Sequence, residues 1–272
     1  MTKTDRPPSE KAPSPAVARA AATLDLVAAE PSRLTLTDLA ERLGLAKSSV
    51  HALTKTLIQL GLLTRLPDQT FTMGPHVMRW AASFSRRSDL TVEFARIWDE
   101  NTVQLHGETA TLSILDGNDV VYIGARNSAR TPWFDFRVGK RLPMAFTATG
   151  QAFMSRMRDD EIRHRFRNGL PAPMTPHSPT TLDAVPELVA AARARGYALD
   201  EEYVSEGMVC FGAPVLGAAN RTVAGIAVSL PAVARSEATD AKVVRCLLQM
   251  ANTVSERLGA EIENHTDVES GP

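Results

Sequence analysis

The chain has 272 residues, 44% apolar and 22% charged, with a formal net charge of −1, a balance that fits a globular protein large enough for two cores. No apolar run approaches the ~18 residues that span a bilayer, and the Pro- and Ser-rich start has no apolar secretory stretch. Two cysteines, Cys210 and Cys246, exclude a disulfide framework or a cysteine-rich metal centre, so a cytoplasmic protein without metal or cofactor is expected.

Residues 1–15 offer too little apolar surface to fold and are expected to form a flexible tail. Residues 16–30 place Val17, Ala20, Ala21, Leu24 and Val27 at helical spacing, closed by Pro31. TLTDLAERLGLAKSSVHALTKTLIQLGLL reads as two helices broken at Gly44. Leu66 to Thr70 is a turn between short apolar segments, and Gly74-Pro75 ends the unit. Residues 76–87 predict a linking helix and 90–105 another. Residues 109–126 predict two strands around Asp116-Gly117-Asn118-Asp119, a hairpin signal.

Further on, 133–138 (WFDFRV) predicts a strand, 149–158 a short helix, 168–180 a Pro-rich loop, and 183–195 a helix capped by Gly196. Strands near 208–215 and 222–230 flank the turn Gly217 to Asn220, and a last helix covers 238–263. Strand pairs with helices gathered around them predict an α+β domain. The expected divisions are a tail at 1–15, a first domain at 16–75, a linker at 76–88, a second domain at 89–264 and a tail at 265–272.

The segment Asp38 to Leu60 meets the demands of a helix-turn-helix. Ala40 is the small residue where one helix crosses the other, and Gly44 suits a turn with positive φ. Leu39, Leu43, Leu45, Val50, Leu53, Leu57 and Leu60 are expected inside. Thr37, or Thr35 with Asp38 three residues on, can cap the first helix. The polar face left over is Ser48, Ser49, His51, Ala52, Thr54, Lys55 and Gln59, types that reach phosphates and base edges. Leu62 to Met73 then forms a small hairpin wing carrying Arg65. A packing hairpin with a solvated face is the plainer alternative. Charge favours DNA: residues 1–87 carry 12 Lys/Arg against 7 Asp/Glu, the remainder 18 against 24.

With these residues in view, the chain resembles the IclR family of bacterial transcriptional regulators from about Ala16 to Gly259. The resemblance rests on the helix and wing stretch LTLTDLAERLGLAKSSVHALTKTLIQLGLLTR, then FTMGP, VVYIGAR, RVGKRLP, TATGQAF, RGYALDEEYVSEGMVCFGAPV and VAGIAVSLP. It implies a winged helix-turn-helix, a linking helix and a GAF-like effector-binding domain. It also implies a homodimer or dimer of dimers on a palindromic double-stranded operator, answering to a small organic acid. Lys47, Ser48, Ser49, His51, Ala52, Lys55 and Arg65 are the implied DNA contacts. Ala52 stands where the family commonly has arginine, and Gln151 where it often has lysine.

The implied effector pocket lies against the helix of the TATG block. Its anion would be held by the amides of Ala148 and Thr149, as a helix N-terminus favours. Asp200, Cys210 and Ser229 match family pocket positions, with Ala227, Met208 and Leu142 beside them. Trp133, Phe134 and Phe136 are conspicuous in a chain only 6% aromatic. They point to an aromatic or otherwise flat carboxylate, or equally to ordinary core rings. Cys210 in an apolar strand is expected to be a structural thiol. His106, His164 and His177 have no metal-ligand or triad spacing. Asp159-Asp160-Glu161 and Glu201-Glu202 are expected to be solvated acids. An enzyme with a helical accessory domain is the rival reading, but no G-x-S-x-G, P-loop, H-E-x-x-H or G-x-G-x-x-G occurs. A nucleoid-type DNA binder would need a strongly basic chain.

Overall fold

The computed structural model describes residues 13–29, 33–86, 89–101, 108–127 and 136–261. The chain divides after Arg87 into two units. The first holds helices α1 (Pro15–Ala29), α2 (Leu36–Leu43), α3 (Lys47–Gln59) and α4 (Val77–Arg86), with strands β1 (Leu63–Arg65) and β2 (Phe71–Met73). Helix α2 is capped by Thr35 and not Thr37. The Thr35 hydroxyl accepts the Asp38 amide at 3.3 Å while the Asp38 carboxylate accepts the Thr35 amide at 2.8 Å, a reciprocal cap that satisfies two otherwise orphaned donors. Gly44, at φ 64°, closes it by donating to the carbonyls of Ala40 and Glu41. Strands β1 and β2 pair antiparallel, with Leu63 opposite Met73, and Leu34 bridges Phe71 on the far side. Leu34, Leu39, Val50, Leu57, Leu63 and Phe71 form the core between them.

Two expectations fail here. Leu60 is 55% exposed, because it is the C-cap of α3 and no longer follows the helical stripe. Thr54 is buried instead of sharing the polar face, and its hydroxyl donates to the Val50 carbonyl at 2.9 Å. That back-bond satisfies the hydroxyl and lets threonine occupy an apolar position.

The second unit is built on one antiparallel sheet, ordered β5-β4-β3-β8-β7-β6. Its strands are β3 (Thr109–Asp116), β4 (Asp119–Asn127), β5 (Arg141–Pro143), β6 (Ala198–Glu201), β7 (Met208–Leu216) and β8 (Thr222–Pro231). Side chains alternate between its faces. Val209, Phe211, Ala213 and Val215 of β7, with Ala224, Ile226, Val228 and Leu230 of β8, pack against α5 (Asp89–Asn101) and α9 (Glu237–Arg257). The other face meets α6 (Ala148–Ser155). Helices α7 (Asp159–Arg165) and α8 (Ala184–Arg195) follow, the latter closed by Gly196 at φ 78°.

The anticipated strand at 133–138 is not seen where it is described. Phe136 and Arg137 are irregular, Val138 and Gly139 form a turn, and pairing begins only at β5. The Gly139 amide donates to the Tyr122 carbonyl and Gly139 takes φ 89°, so the chain turns where a strand would have run straight. The last helix ends at Arg257 rather than 263, because Gly259 at φ 82° turns the chain out of the helix. Among the described residues no helix is long and apolar enough to cross a membrane.

Candidate effector cavity and nucleic-acid interface

Helix α3 buries Val50, Thr54 and Leu57 along one stripe. At 3.6 residues per turn, the positions opposite that stripe are Ser48, Ala52, Lys55 and Gln59, all exposed. Lys47 and His51 flank them on one edge and Ser49 on the other, exposed as well. Hydroxyls, an imidazole and ammonium groups therefore stand around a central alanine that leaves room for a close approach. Arg65 on β1 is exposed, with its guanidinium 6.0 Å from the centre of the Phe71 ring. The wing turn is held by Asp68, whose carboxylate accepts the Thr70 amide at 3.0 Å. That bond and the one from the Thr70 hydroxyl keep the Asp68 carboxyl below the usual carboxylate range.

In the second unit, the N-terminus of α6 is pressed onto the sheet. A Cβ on Gly212 would lie 2.5 Å from the Ala148 carbonyl carbon, and one on Gly150 would lie 2.1 Å from the Met144 carbonyl oxygen. Only glycine permits either approach, and this is the reason for the G in TATG. Thr147 is the N-cap, and its hydroxyl accepts the Gly150 amide at 3.0 Å. The Gln151 amide goes to the Thr147 carbonyl at 3.0 Å. The amides of Ala148 and Thr149 are left without a hydrogen bond.

Beneath them the sheet presents a polar row. Thr109 pairs Ser229, Ser229 pairs Cys210, and Cys210 pairs Asp200, across β3, β8, β7 and β6. All four are buried. A small cavity lies between this row and α6, with Asp200, Cys210 and Ser229 on its floor and Thr147, Ala148 and Thr149 above. Thr111, Tyr122, Val204, Met208 and Ala227 complete the wall. The hydroxyls of Thr111, Tyr122 and Thr149 make no hydrogen bond within the protein, so three buried donors face the cavity with unused capacity.

The electrostatics are set by burial. The Asp200 carboxylate accepts the Tyr203 amide at 2.7 Å, and bonds from the Val204 amide and the Cys210 thiol also favour its charged form. Loss of water outweighs them and pushes this carboxyl up to about 7. Burial pushes the Cys210 thiol and the Tyr122 phenol well above their ordinary values, so both stay protonated near neutrality. The Ser229 hydroxyl donates to the Cys210 sulfur at 3.0 Å. Cys210 is thus a neutral structural thiol in a hydrogen-bonded row. Among the described residues no three His, Cys, Asp or Glu side chains are grouped to hold a metal ion.

Of the residues singled out from sequence, the structure brings Ala148, Thr149, Asp200, Met208, Cys210, Ala227 and Ser229 to one cavity. Phe136 packs against Ala148, Met208, Cys210 and Ala227, with its ring 6.3 Å from that of Tyr122. Leu142 does not line the cavity; it is buried in a neighbouring core opposite Val120. Trp133 and Phe134 lie outside the described residues. Sequence reasoning missed Thr111, Tyr122, Thr147 and Val204. Thr111 lies opposite Ala227, so strand alternation could have found it, and Thr147 carried an N-cap signal before the TATG helix. Val204, in a turn, had no local signal.

Two family models match the chain: the IclR helix-turn-helix domain over residues 16–67 and the bacterial transcriptional regulator IclR C-terminal domain over 85–256. The HTH-type transcriptional regulator BhcR of Paracoccus denitrificans is 34% identical over 241 residues, 88% of this chain and 86% of that one. The crystal structure of the Agobacterium tumefaciens repressor BlcR is similar at 39% identity and TM-score 0.60, covering 92% of this chain and 99% of its own. An IclR transcriptional regulator from Alicyclobacillus acidocaldarius superposes at TM-score 0.78 with 25% identity, over 90% and 99% of the two chains.

Proposed function

This chain belongs to the IclR family of bacterial transcriptional regulators, and from that premise we propose which residues read DNA and what the effector is. It is a DNA-binding regulator under metabolite control and not an enzyme. Lys47, Ser48, Ser49, His51, Ala52 and Lys55 of α3 enter the major groove, and Arg65 on the wing meets the backbone. The protein works in the cytoplasm as a dimer or dimer of dimers, because a palindromic operator needs two recognition helices about one helical turn apart.

The effector is a compact carboxylic acid held in the cavity under α6. The observation carrying this is the pair of unbonded amides, Ala148 and Thr149, at a helix N-terminus that also faces the unbonded hydroxyls of Tyr122 and Thr149. The cavity as it stands has room for about one water molecule, so its walls must part to admit even a small acid. Tyr122 supplies a flat wall and Met208 an apolar one, so a short-chain acid and a single-ring acid are both candidates.

The test is a thermal-shift screen of acids, since a ligand that binds only the native state raises its midpoint, followed by titration calorimetry on a variant lacking one amide. Ala148→Pro suits this purpose: it occupies the first helical position, and Thr147 before it is extended at ψ 145°, which proline accepts. Losing one bond to a charged ligand should weaken binding roughly ten- to a hundredfold, while ligand-free operator binding survives. A folded Ala148→Pro protein with the parent's affinity places the anion elsewhere.

A further inference from the structure

The cavity presents a carboxylic acid ligand with a difficulty. Among the described residues lining it there is no Lys, Arg or His, yet it already contains the buried carboxyl of Asp200. We propose that a carboxylate effector is taken up together with one proton, which comes to rest on Asp200, so that Asp200 donates a hydrogen bond to the bound acid and effector affinity follows pH. This rests on the reading of the cavity as a carboxylate site and adds a regulatory input to it.

Among the described residues, the surroundings of Asp200 supply no cation to pair with a second anion. On its own strand Glu201 is its neighbour in sequence, points to the other face and is paired with Arg235 at 2.8 Å. That glutamate only makes ionisation of Asp200 harder. From β7 comes the Cys210 thiol, from β4 the Tyr122 phenol and from the following turn the Tyr203 phenol, all raised by burial and all neutral. Helix α6 carries no titratable side chain between Ala148 and Ser155, and β8 contributes Ser229. The loop that bonds the turn after Asp200 through Thr175 and Ser178 carries His177, which is exposed. Arg195 on α8 lies 5.3 Å from the Tyr197 ring and favours ionisation of Tyr203.

Empty, the cavity can keep Asp200 charged, because two amides, a thiol and the positive end of α6 all favour the anion. An incoming carboxylate takes over that helix end and adds a second negative charge inside the same enclosed space. Two carboxylates sharing a poorly solvated site do not both ionise; one binds a proton. Asp200 is the group already closest to protonation, since burial holds it near 7, whereas a free carboxylic acid ionises near 4. Atoms balance simply: one proton leaves the buffer and one O–H bond forms on Asp200. Linkage then gives the sign. Below about pH 7 the proton is already present and affinity is flat. Above it, each pH unit costs up to tenfold in affinity.

The experiment is calorimetric titration of the full chain with acetate, glycolate, pyruvate, succinate and benzoate, in buffers of differing ionisation enthalpy at pH 6 and 8.5. For whichever acids bind, uptake approaching one proton is expected at pH 8.5 and little at pH 6, with Kd rising about tenfold or more between them. Asp200→Asn keeps the shape and a permanent donor; it should bind without proton uptake and with a Kd that no longer changes with pH. A second readout needs no variant: the Asp200 carboxyl carbon, followed by NMR, should titrate near neutrality in the empty protein and stay protonated to at least pH 9 with acid bound. Binding at pH 8.5 without uptake overturns the proposal, and uptake persisting in Asp200→Asn assigns the proton to the ligand and overturns it too. If no acid binds at either pH, the carboxylate reading of the cavity falls and this proposal with it.

Discussion

Asp200 and Cys210 lie directly opposite one another in the β6–β7 ladder, and the thiol donates to the carboxyl while accepting from Ser229. Side chains at paired positions are neighbours on one face of a sheet, so this buried carboxyl is a built feature of the fold. It carries a cost. An aspartate that ionises near 3.8 in the unfolded chain does so near 7 in the folded one. The folded state therefore binds the extra proton across that window. The stabilisation is complete below about pH 4 and is lost as pH rises through about 7, a change on the order of 4 kcal/mol. Asp200→Asn should flatten this decline and leave the protein more stable than its parent at pH 8. Urea midpoints for both proteins at pH 5 and pH 8 decide it, and parallel pH profiles would count against the burial argument.

The seating of α6 makes a second, geometric prediction. Gly212→Ala puts a methyl 2.5 Å from backbone atoms of Ala148, which cannot swing away, whereas Gly225→Ala meets the Thr149 side chain at 3.1 Å. Overpacking of this kind costs about 1–3 kcal/mol, more where backbone must move. The Gly212 variant should lose several degrees in Tm together with its acid-induced thermal shift, because it displaces the two unbonded amides. The Gly225 variant should lose less of both. Equal tolerance at the two positions would mean that the helix end is held by something other than this contact.

How much of this could be read from the residues depends on whether local pattern and local function agreed. Strands β7 and β8 were legible because Val209 to Val215 and Ala224 to Leu230 alternate between an apolar core and the cavity face. Strand β6 was not: in Ala198-Leu199-Asp200-Glu201 the inward position after Ala198 is an acid, placed there for the cavity against every strand preference. Helix α7 was hidden for a different reason. Asp159, Asp160 and Glu161 are solvated as expected, and they also form its first turn, with Arg163, His164 and Arg165 in its last, the charge order a helix dipole favours. WFDFRV misled because aromatic alternation resembles a strand even where Phe136 is held in a loop by its contacts with the cavity wall.

Gln151 offers a third prediction. It is fully buried one turn into α6, and neither its side-chain oxygen nor its nitrogen has a hydrogen-bond partner. A buried amide left unpaired costs about 1–3 kcal/mol, so Gln151→Met, similar in length and without polar demands, should stabilise the second unit. For a domain of this size the expected gain is roughly 2–8 °C in Tm. A lower Tm would show that the amide has a partner in solution, such as an ordered water.

The fourth prediction concerns α3 and the wing, and separates residues that read sequence from residues that hold phosphate. His51 and Ser49 lie on opposite edges of the exposed face, while Lys55 lies near its centre and Arg65 on β1. An imidazole or short hydroxyl placed against base edges distinguishes one base pair from another. His51→Ala and Ser49→Ala should therefore relax specificity at particular operator positions, each by about 1–3 kcal/mol. A cation on a phosphate is indifferent to sequence but releases a counterion when it binds. Lys55→Ala and Arg65→Ala should weaken operator and random DNA alike, and each should reduce the salt slope of log affinity by about one. None of the four side chains is buried, so thermal midpoints should stay near the parent's and a binding loss cannot be ascribed to unfolding. Gel shifts on operator and scrambled DNA across a salt series would separate the two behaviours. If all four variants keep the parent's operator affinity, the reading surface is not α3.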